Sequence, residues 1–326
     1  MKADRSEGKY LRDFYRLMLG KGSSHVEECL KDGFVGVGWF ENIDLTPVFA
    51  RSADWRAFNK EMIPIYLKDN PSKKKVAAGL SCGFTHTVCK GMAIGDVVIT
   101  PKGDGTYAVG EIASDYIYAP GKTLPHRRLV NWYPASIARA DMTVELKNSA
   151  GSIGTVSNVS RYATELEALL IGQKPKANPG LYSTDESVED PSIFALEKHL
   201  EDFLVANWKS TELSKNYDVY EDEGEIVGQQ YMTDTGPIDI LAISKDRKEL
   251  LVIELKKGRV SDVVVGQIQR YMGYAKDELC EEGQTVKGLI IGLEDDNKLR
   301  RALSVTTGID FYRYIVDFKL VKGFSA

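Results

Sequence analysis

Two apolar runs late in the chain, Gly236-Pro-Ile-Asp-Ile-Leu-Ala-Ile243 and Leu250-Leu-Val-Ile-Glu-Leu-Lys-Lys257, flank the polar stretch Ser244-Lys-Asp-Arg-Lys-Glu249. Short apolar runs around a polar turn predict a β-hairpin. Their nearly unbroken Ile, Leu, Val and Ala content predicts a sheet covered on both faces. A turn centred on Asp246 and Arg247 makes paired residue numbers sum to 493, which sets Asp239 opposite Glu254. Lys256 follows Glu254 by two positions and therefore shares its face. Downstream, Ser261 to Lys276 predicts a helix with Ser261 as N-cap, and Gln267 and Tyr271 lie four apart on one face of it. Upstream, Leu196, Leu200, Phe203 and Leu204 give helical spacing from Ile193 to Trp208, with Glu197 and Glu201 one turn apart.

The first half is patterned differently. Gly33-Phe-Val-Gly-Val-Gly-Trp-Phe40 alternates bulky and small residues. Gly95–Pro101 and Tyr107–Ala113 predict a hairpin across Lys102-Gly-Asp-Gly-Thr106, with further short strands at Tyr116–Tyr118 and Leu129–Tyr133. With helices near 24–32 and 53–69, this predicts a small β-barrel with helical decoration. Between the halves, residues 172–192 carry three prolines and little apolar content and read as a linker. The predicted organisation is a domain over 1–171, a linker over 172–192 and a domain over 193–326. The expected class is α/β plus β-barrel.

Composition adds bounds. The 326 residues suit two domains, and 43% hydrophobic and 27% charged residues are ordinary for globular chains. No apolar run approaches the roughly 20 residues needed to span a bilayer. Four cysteines without a disulfide framework, and an N-terminus lacking a signal peptide's apolar core, lead to the expectation of a cytoplasmic protein with no membrane partner. A net charge of −5 does not advertise a nucleic-acid binder, so any phosphate contact would fall to local clusters such as Lys73–Lys75, Arg127-Arg128, Lys256–Arg259 and Arg300-Arg301.

The hairpin carries the chemistry. Residues directly opposed across strands hold their Cβ atoms about 4.5–5.5 Å apart. Two carboxylates that close repel, and a hard divalent cation with oxygen ligands relieves them. An acid followed by acid-x-Lys on the next strand suits phosphodiester hydrolysis. From about 193 to 326 the chain resembles the PD-(D/E)xK nucleases, in particular the NucS-like and Mrr-like group. The resemblance rests on Leu196-Glu-Lys-His-Leu-Glu-Asp-Phe-Leu204, Gly236-Pro-Ile-Asp-Ile-Leu241, Val252-Ile-Glu-Leu-Lys-Lys-Gly-Arg259 and Val265-Gly-Gln-Ile-Gln-Arg-Tyr-Met272, and continues through Val286–Ile291 to Tyr312–Phe318. It implies a mixed sheet flanked by helices. It also implies Mg²⁺, replaceable by Mn²⁺, held by Asp239, Glu254 and the backbone carbonyl of Leu255, with Glu201 as a further ligand. Lys256 would orient or deprotonate water or stabilise the transition state, and Gln267, in a Gln-x-x-x-Tyr pattern that ends at Tyr271, would stand beside the metal site, both being candidate catalytic residues.

Residues 10–170 resemble the PUA-like superfamily, especially EVE-like domains. The matching segments are Gly20-Lys-Gly-Ser-Ser24, Gly33–Trp39, Gly95–Val98 and Leu124-Pro-His-Arg-Arg-Leu-Val-Asn-Trp132. This implies nucleic-acid binding through a flipped, modified base stacked on aromatic rings, for which Trp39, Trp132 and Tyr116, with Trp55 and Tyr118, are the candidates. The combined expectation is a DNA endonuclease for modification-dependent restriction or phage defence. A NucS-type repair endonuclease acting at mismatched or branched DNA is the alternative, and a non-catalytic nucleic-acid reader the second. One active site cuts one strand, so double-strand cleavage would call for a homodimer or successive nicks. Gly20–Ser24 lacks phosphate-loop spacing, and Cys82, His86 and Cys89 lack a fourth ligand for zinc.

Overall fold

The computed structural model describes residues 12–151, 154–173, 200–222, 225–233 and 235–315. The predicted linker lies outside these residues apart from its first two, as do Glu197 and the start of the helix expected from Ile193. The chain is a mixed α/β protein of two compact units, Met1–Leu181 and Tyr182–Ala326.

The first unit contains β1 (Phe14–Leu17), α1 (Val26–Asp32), β2 (Phe34–Val37), α2 (Thr46–Arg51), α3 (Trp55–Asp69), α4 (Lys75–His86), β3 (Val97–Pro101), β4 (Thr106–Ile112), β5 (Ile117–Tyr118), β6 (His126–Ala138), α5 (Val144–Ala150), β7 (Val156–Asn158) and α6 (Ala163–Leu170). Its seven strands run in the order β2-β6-β4-β3-β1-β7, with β5 on β6. The expected hairpin is present, Val97 pairing with Glu111 and Pro101 with Tyr107. Among the described residues no pairing joins β2 to β7, and in place of the expected closed barrel the strands form a curled half-barrel. The parallel β1–β3 pair joins residues more than eighty positions apart, which local patterning could not show. Gly110 lets β4 lie against β6: a Cβ there would stand 2.4 Å from Val130 Cγ1 and 2.7 Å from Trp132 Cε3.

Buried cations tie this unit together. Arg16, 2% exposed, donates through Nε to the Ala150 carbonyl at 3.1 Å and through Nη1 to that of Gly154. Arg128, equally buried, donates to the carbonyl oxygens of Met92 (2.9 Å), Val88 and Cys89, closing the wide helical turn Thr87–Gly91 that follows α4. Arg127 lies 3.7 Å over the Phe34 ring and donates to the Leu124 carbonyl. In the Arg127-Arg128 cluster both guanidiniums donate to backbone carbonyls, Arg128 from a buried position that needs acceptors and Arg127 from a partly exposed one that also faces Glu28 at 3.9 Å.

The second unit begins, among described residues, with α7 (200–206). It continues with β8 (Tyr217–Val219), β9 (Glu221–Asp222), β10 (Glu225–Ile226), β11 (Gln229–Thr233), β12 (Gly236–Ser244), β13 (Glu249–Val260), α8 (Val263–Tyr274), β14 (Thr285–Asp295), α9 (Asn297–Ser304) and β15 (Ile309–Arg313). The sheet order is β11-β12-β13-β14-β15, with β8 on β12. β11, β12 and β13 are antiparallel neighbours, whereas β13, β14 and β15 run parallel. Ile240, Ala242, Leu251, Ile253, Leu255, Leu289 and Ile291 form one buried face, against which Leu200 and Leu204 of α7 pack. α8 lies against β13 and β14 on a glycine: a Cβ at Gly288 would meet Met272 Sδ at 2.6 Å and Ile268 Cδ1 at 3.1 Å. Asp262, the residue before the helix, already has right-handed helical backbone and makes no side-chain cap bond, and the Ser261 carbonyl accepts the Val264 N–H at 3.4 Å.

The start of β11 is set by close backbone approach. Gly228 accepts a 2.6 Å hydrogen bond from the Leu241 N–H, and a Cβ on Gly228 would stand 2.1 Å from the Leu241 oxygen. Backbone cannot yield as a flexible side chain can. Gly228→Ala is expected to destabilise the protein by about 3 kcal/mol, read from its urea unfolding curve; a wild-type midpoint would refute the constraint.

Candidate functional site

The hairpin has the register expected of it. Ile240 pairs with Ile253 and Ile243 with Leu250, so the next rung sets Asp239 against Glu254. Asp239 reaches across: its Oδ2 accepts the Leu255 backbone N–H at 2.7 Å. Glu254 is 2% exposed, and its Oε1 lies 3.1 Å from Lys256 Nζ. Just past Lys256 the β13–β14 ladder shifts register before Arg259. Such irregularities are common beside active sites, where they re-aim side chains.

Glu201, also 2% exposed, is brought to the same place from α7. Its Oε1 accepts from Gln229 Nε2 at 2.7 Å, and its Oε2 accepts from Gln230 Nε2. The same Gln230 nitrogen donates to Asp239 Oδ1 at 3.2 Å. Removal from water, then the nearby Glu254 and Glu201 charges, push the Asp239 acid well above the usual carboxylate range. The Leu255 N–H and the Lys256 charge act in the opposite sense. The charged form of this cluster is thus under electrostatic strain in the folded protein.

The helix residues reach the same neighbourhood. Gln267 Nε2 donates to the Tyr271 hydroxyl at 3.4 Å. Tyr271 is buried, and its hydroxyl is raised above its ordinary range first by burial, with Glu254 and Asp239 adding to the effect. Gly236 makes room: at φ 128°, a Cβ there would lie 2.9 Å from the Tyr271 oxygen. Asp239, Glu254, Lys256, Glu201, Gln267 and Tyr271 therefore form one neighbourhood. Leu255 enters it through its N–H. Sequence reasoning missed Gln229, Gln230 and the steric role of Gly236. The tandem glutamines carry no motif spacing, and only the β11–β12 pairing reveals them.

The donor set suits a divalent cation. Three carboxylates supply hard oxygen ligands in a poorly hydrated place, the chemistry that Mg²⁺ and Mn²⁺ prefer. Among the described residues, however, no three Asp, Glu, His or Cys side chains are already gathered in ligating geometry.

Of the aromatic candidates in the first unit, Trp39, Tyr116 and Trp132 pack against its main core. The Trp132 indole N–H donates to the Cys29 carbonyl at 3.0 Å. The Tyr116 hydroxyl lies 2.8 Å from His126 Nδ1 and accepts the Leu45 N–H, while its ring meets Phe49 edge-on at 5.1 Å. Trp39 packs on Phe84 at 6.1 Å. Tyr116 and Trp132 are partly buried, each with its polar atom engaged by the core. Cys82 and Cys89 are buried thiols whose ionisation burial opposes.

Residues 196–313 match the family model of the endonuclease NucS C-terminal domain, and residues 15–160 match a domain of unknown function, DUF8426. Endonuclease NucS of Methanocaldococcus jannaschii is 29% identical over 97 residues, an alignment spanning 28% of this chain and 36% of that relative's length. Among solved structures, a repair endonuclease from Pyrococcus abyssi aligns with 15% identity and a TM-score of 0.30, over 66% of this chain and 64% of that one. An EndoMS–double-stranded DNA complex aligns at 12% identity and a TM-score of 0.30, over 68% and 66%.

The strain in the acid cluster gives a stability prediction. Asp239→Asn keeps an acceptor for the Leu255 N–H and removes one of the like charges. In EDTA at neutral pH it is expected to raise stability by about 1 kcal/mol, measured by thermal unfolding. A variant less stable than wild type would show that the carboxylate is already balanced by its neighbours.

Proposed function

We propose that this protein is a metal-dependent DNA endonuclease of the NucS repair type. The observation that supports this best is the convergence of Asp239, Glu254 and Lys256 on two adjacent strands, within the segment matching the NucS C-terminal domain. In this reading Asp239, Glu254 and Glu201, with the Leu255 carbonyl, hold Mg²⁺ or Mn²⁺. When bound, such an ion supplies Lewis-acid stabilisation of the phosphate and a water of lowered pKa. The protein's own groups do the rest. Leu255 N–H and the glutamines orient the carboxylates. Lys256 directs its charge at the acid cluster, where it stabilises negative charge building on the phosphate during attack by water. Gln267 and Tyr271 close the helix side and limit access of bulk water.

The restriction reading gives way to the repair reading. Modification-dependent cleavage requires a base-reading first unit, and its match is to a domain of unknown function. Its aromatic candidates Trp39, Tyr116 and Trp132 are engaged in packing. The second-unit match, by contrast, is to NucS.

Mismatched or branched duplexes are expected to be cut in Mg²⁺ or Mn²⁺ well above fully paired DNA. Asp239→Ala and Lys256→Ala should each lower cleavage by at least about 10²-fold, in a gel assay that also includes cytosine-methylated duplex. Cutting confined to methylated DNA would overturn the repair reading. Full activity in both variants would overturn the assigned site.

A further inference from the structure

Gln230 stands in an unusual place. Its side-chain nitrogen donates to Asp239 Oδ1 at 3.2 Å and to Glu201 Oε2, so one amide joins carboxylates from β12 and α7. Its neighbour Gln229 anchors the other side of Glu201, donating to Oε1 at 2.7 Å and to Asp202 Oδ1 at 2.7 Å. The backbone of Gln230 has φ 51°, the left-handed region that residues with long side chains rarely use. Its strand neighbours pair regularly, Gln229 with Ile240 and Tyr231 with Ile238, so the departure is confined to this residue. Strain of that kind persists where the surroundings impose it, and here it delivers an amide to the acid cluster.

We propose that Gln230 is a positioning residue whose side-chain amide takes, in the metal-free protein, the place between Asp239 and Glu201 that a divalent cation occupies on binding. This rests on the metal-site reading of the preceding section. A neutral amide gives each carboxylate one N–H but adds no positive charge. The two carboxylates therefore still face each other across a neutral group with the amide in place. A divalent cation answers both the need for a partner and the repulsion. Metal entry then requires Gln230 to withdraw, and Gln229 keeps Glu201 on the sheet while it does.

The test is Mn²⁺ titration of the full chain by isothermal calorimetry, with the free ion followed by electron paramagnetic resonance. Gln230→Met preserves length and removes the N–H donors. It is expected to bind Mn²⁺ about tenfold tighter, since the ion no longer displaces charge-assisted hydrogen bonds. Its melting temperature should fall below wild type in EDTA and recover with saturating Mn²⁺. Gln230→Asn, at home in left-handed backbone and one methylene shorter, should shift affinity in the same direction and stands in if the methionine variant does not fold. Unchanged Mn²⁺ affinity in a folded variant would show that the amide is not in the ion's place. Weaker affinity would make it a ligand or an orienting group and also overturn the proposal. Failure of the wild-type protein to bind Mn²⁺, with Asp239→Ala giving the same trace, would instead overturn the metal site itself.

Discussion

The second unit depends on one rung of one hairpin. Ile240 against Ile253 fixes the β12–β13 register, and the next rung opposes two carboxylates. A slip of one residue would turn every side chain of a strand to the other face. That slip is blocked by apolar packing: Ile240, Ala242, Leu251 and Ile253 sit in a common core and cannot exchange places with Asp239 and Glu254 without burying charge in it. The energy that fixes the chemistry is thus hydrophobic, although the chemistry is electrostatic. The arrangement is also costly by itself, because burial and like charge raise the Asp239 acid. On the proposed metal-binding reading, a cation would relieve that repulsion.

What the sequence made legible follows from this division. The hairpin register could be read because its turn is short and polar and its strands are continuously apolar, so counting from the turn was enough. Gln267 and Tyr271 were readable because a helical turn is a fixed spacing. Glu201 could be suggested by resemblance, but its partners could not. They come from β11, whose pairing with β12 follows no local period, and from a left-handed residue without glycine to announce it.

In the first unit the strands were legible and their closure was not. Gly95–Pro101 and Tyr107–Ala113 carry the turn chemistry of a hairpin, whereas β1 beside β3 is a long-range parallel contact. The polar residues there were harder still. Arg127 and Arg128 look in sequence like a basic pair awaiting phosphate. In the fold, the long apolar stems and planar heads of the guanidiniums make them suitable for closing carbonyl-rich turns from within. The turn capped by Arg128 leaves several carbonyls facing one point, and a single fork of N–H donors satisfies them where separate side chains would crowd.

With a net charge of −5, this protein could meet a polyanion only through local cations. Phosphate binding draws on cations that are free to release counterions, and those committed to carbonyls or ion pairs contribute little. Arg16 and Arg128 are committed to carbonyls, and Arg300 is held by Asp295. Lys256 differs, because its partner Glu254 belongs to the acid cluster itself. On the proposed metal-binding reading, a cation held by Glu254 would share that carboxylate with Lys256 and leave the lysine charge to face an anion beside it. Attraction for phosphate would then depend on the ion rather than be built permanently into the surface. On that reading an acidic protein would engage a polyanion locally while remaining weakly attracted to it elsewhere.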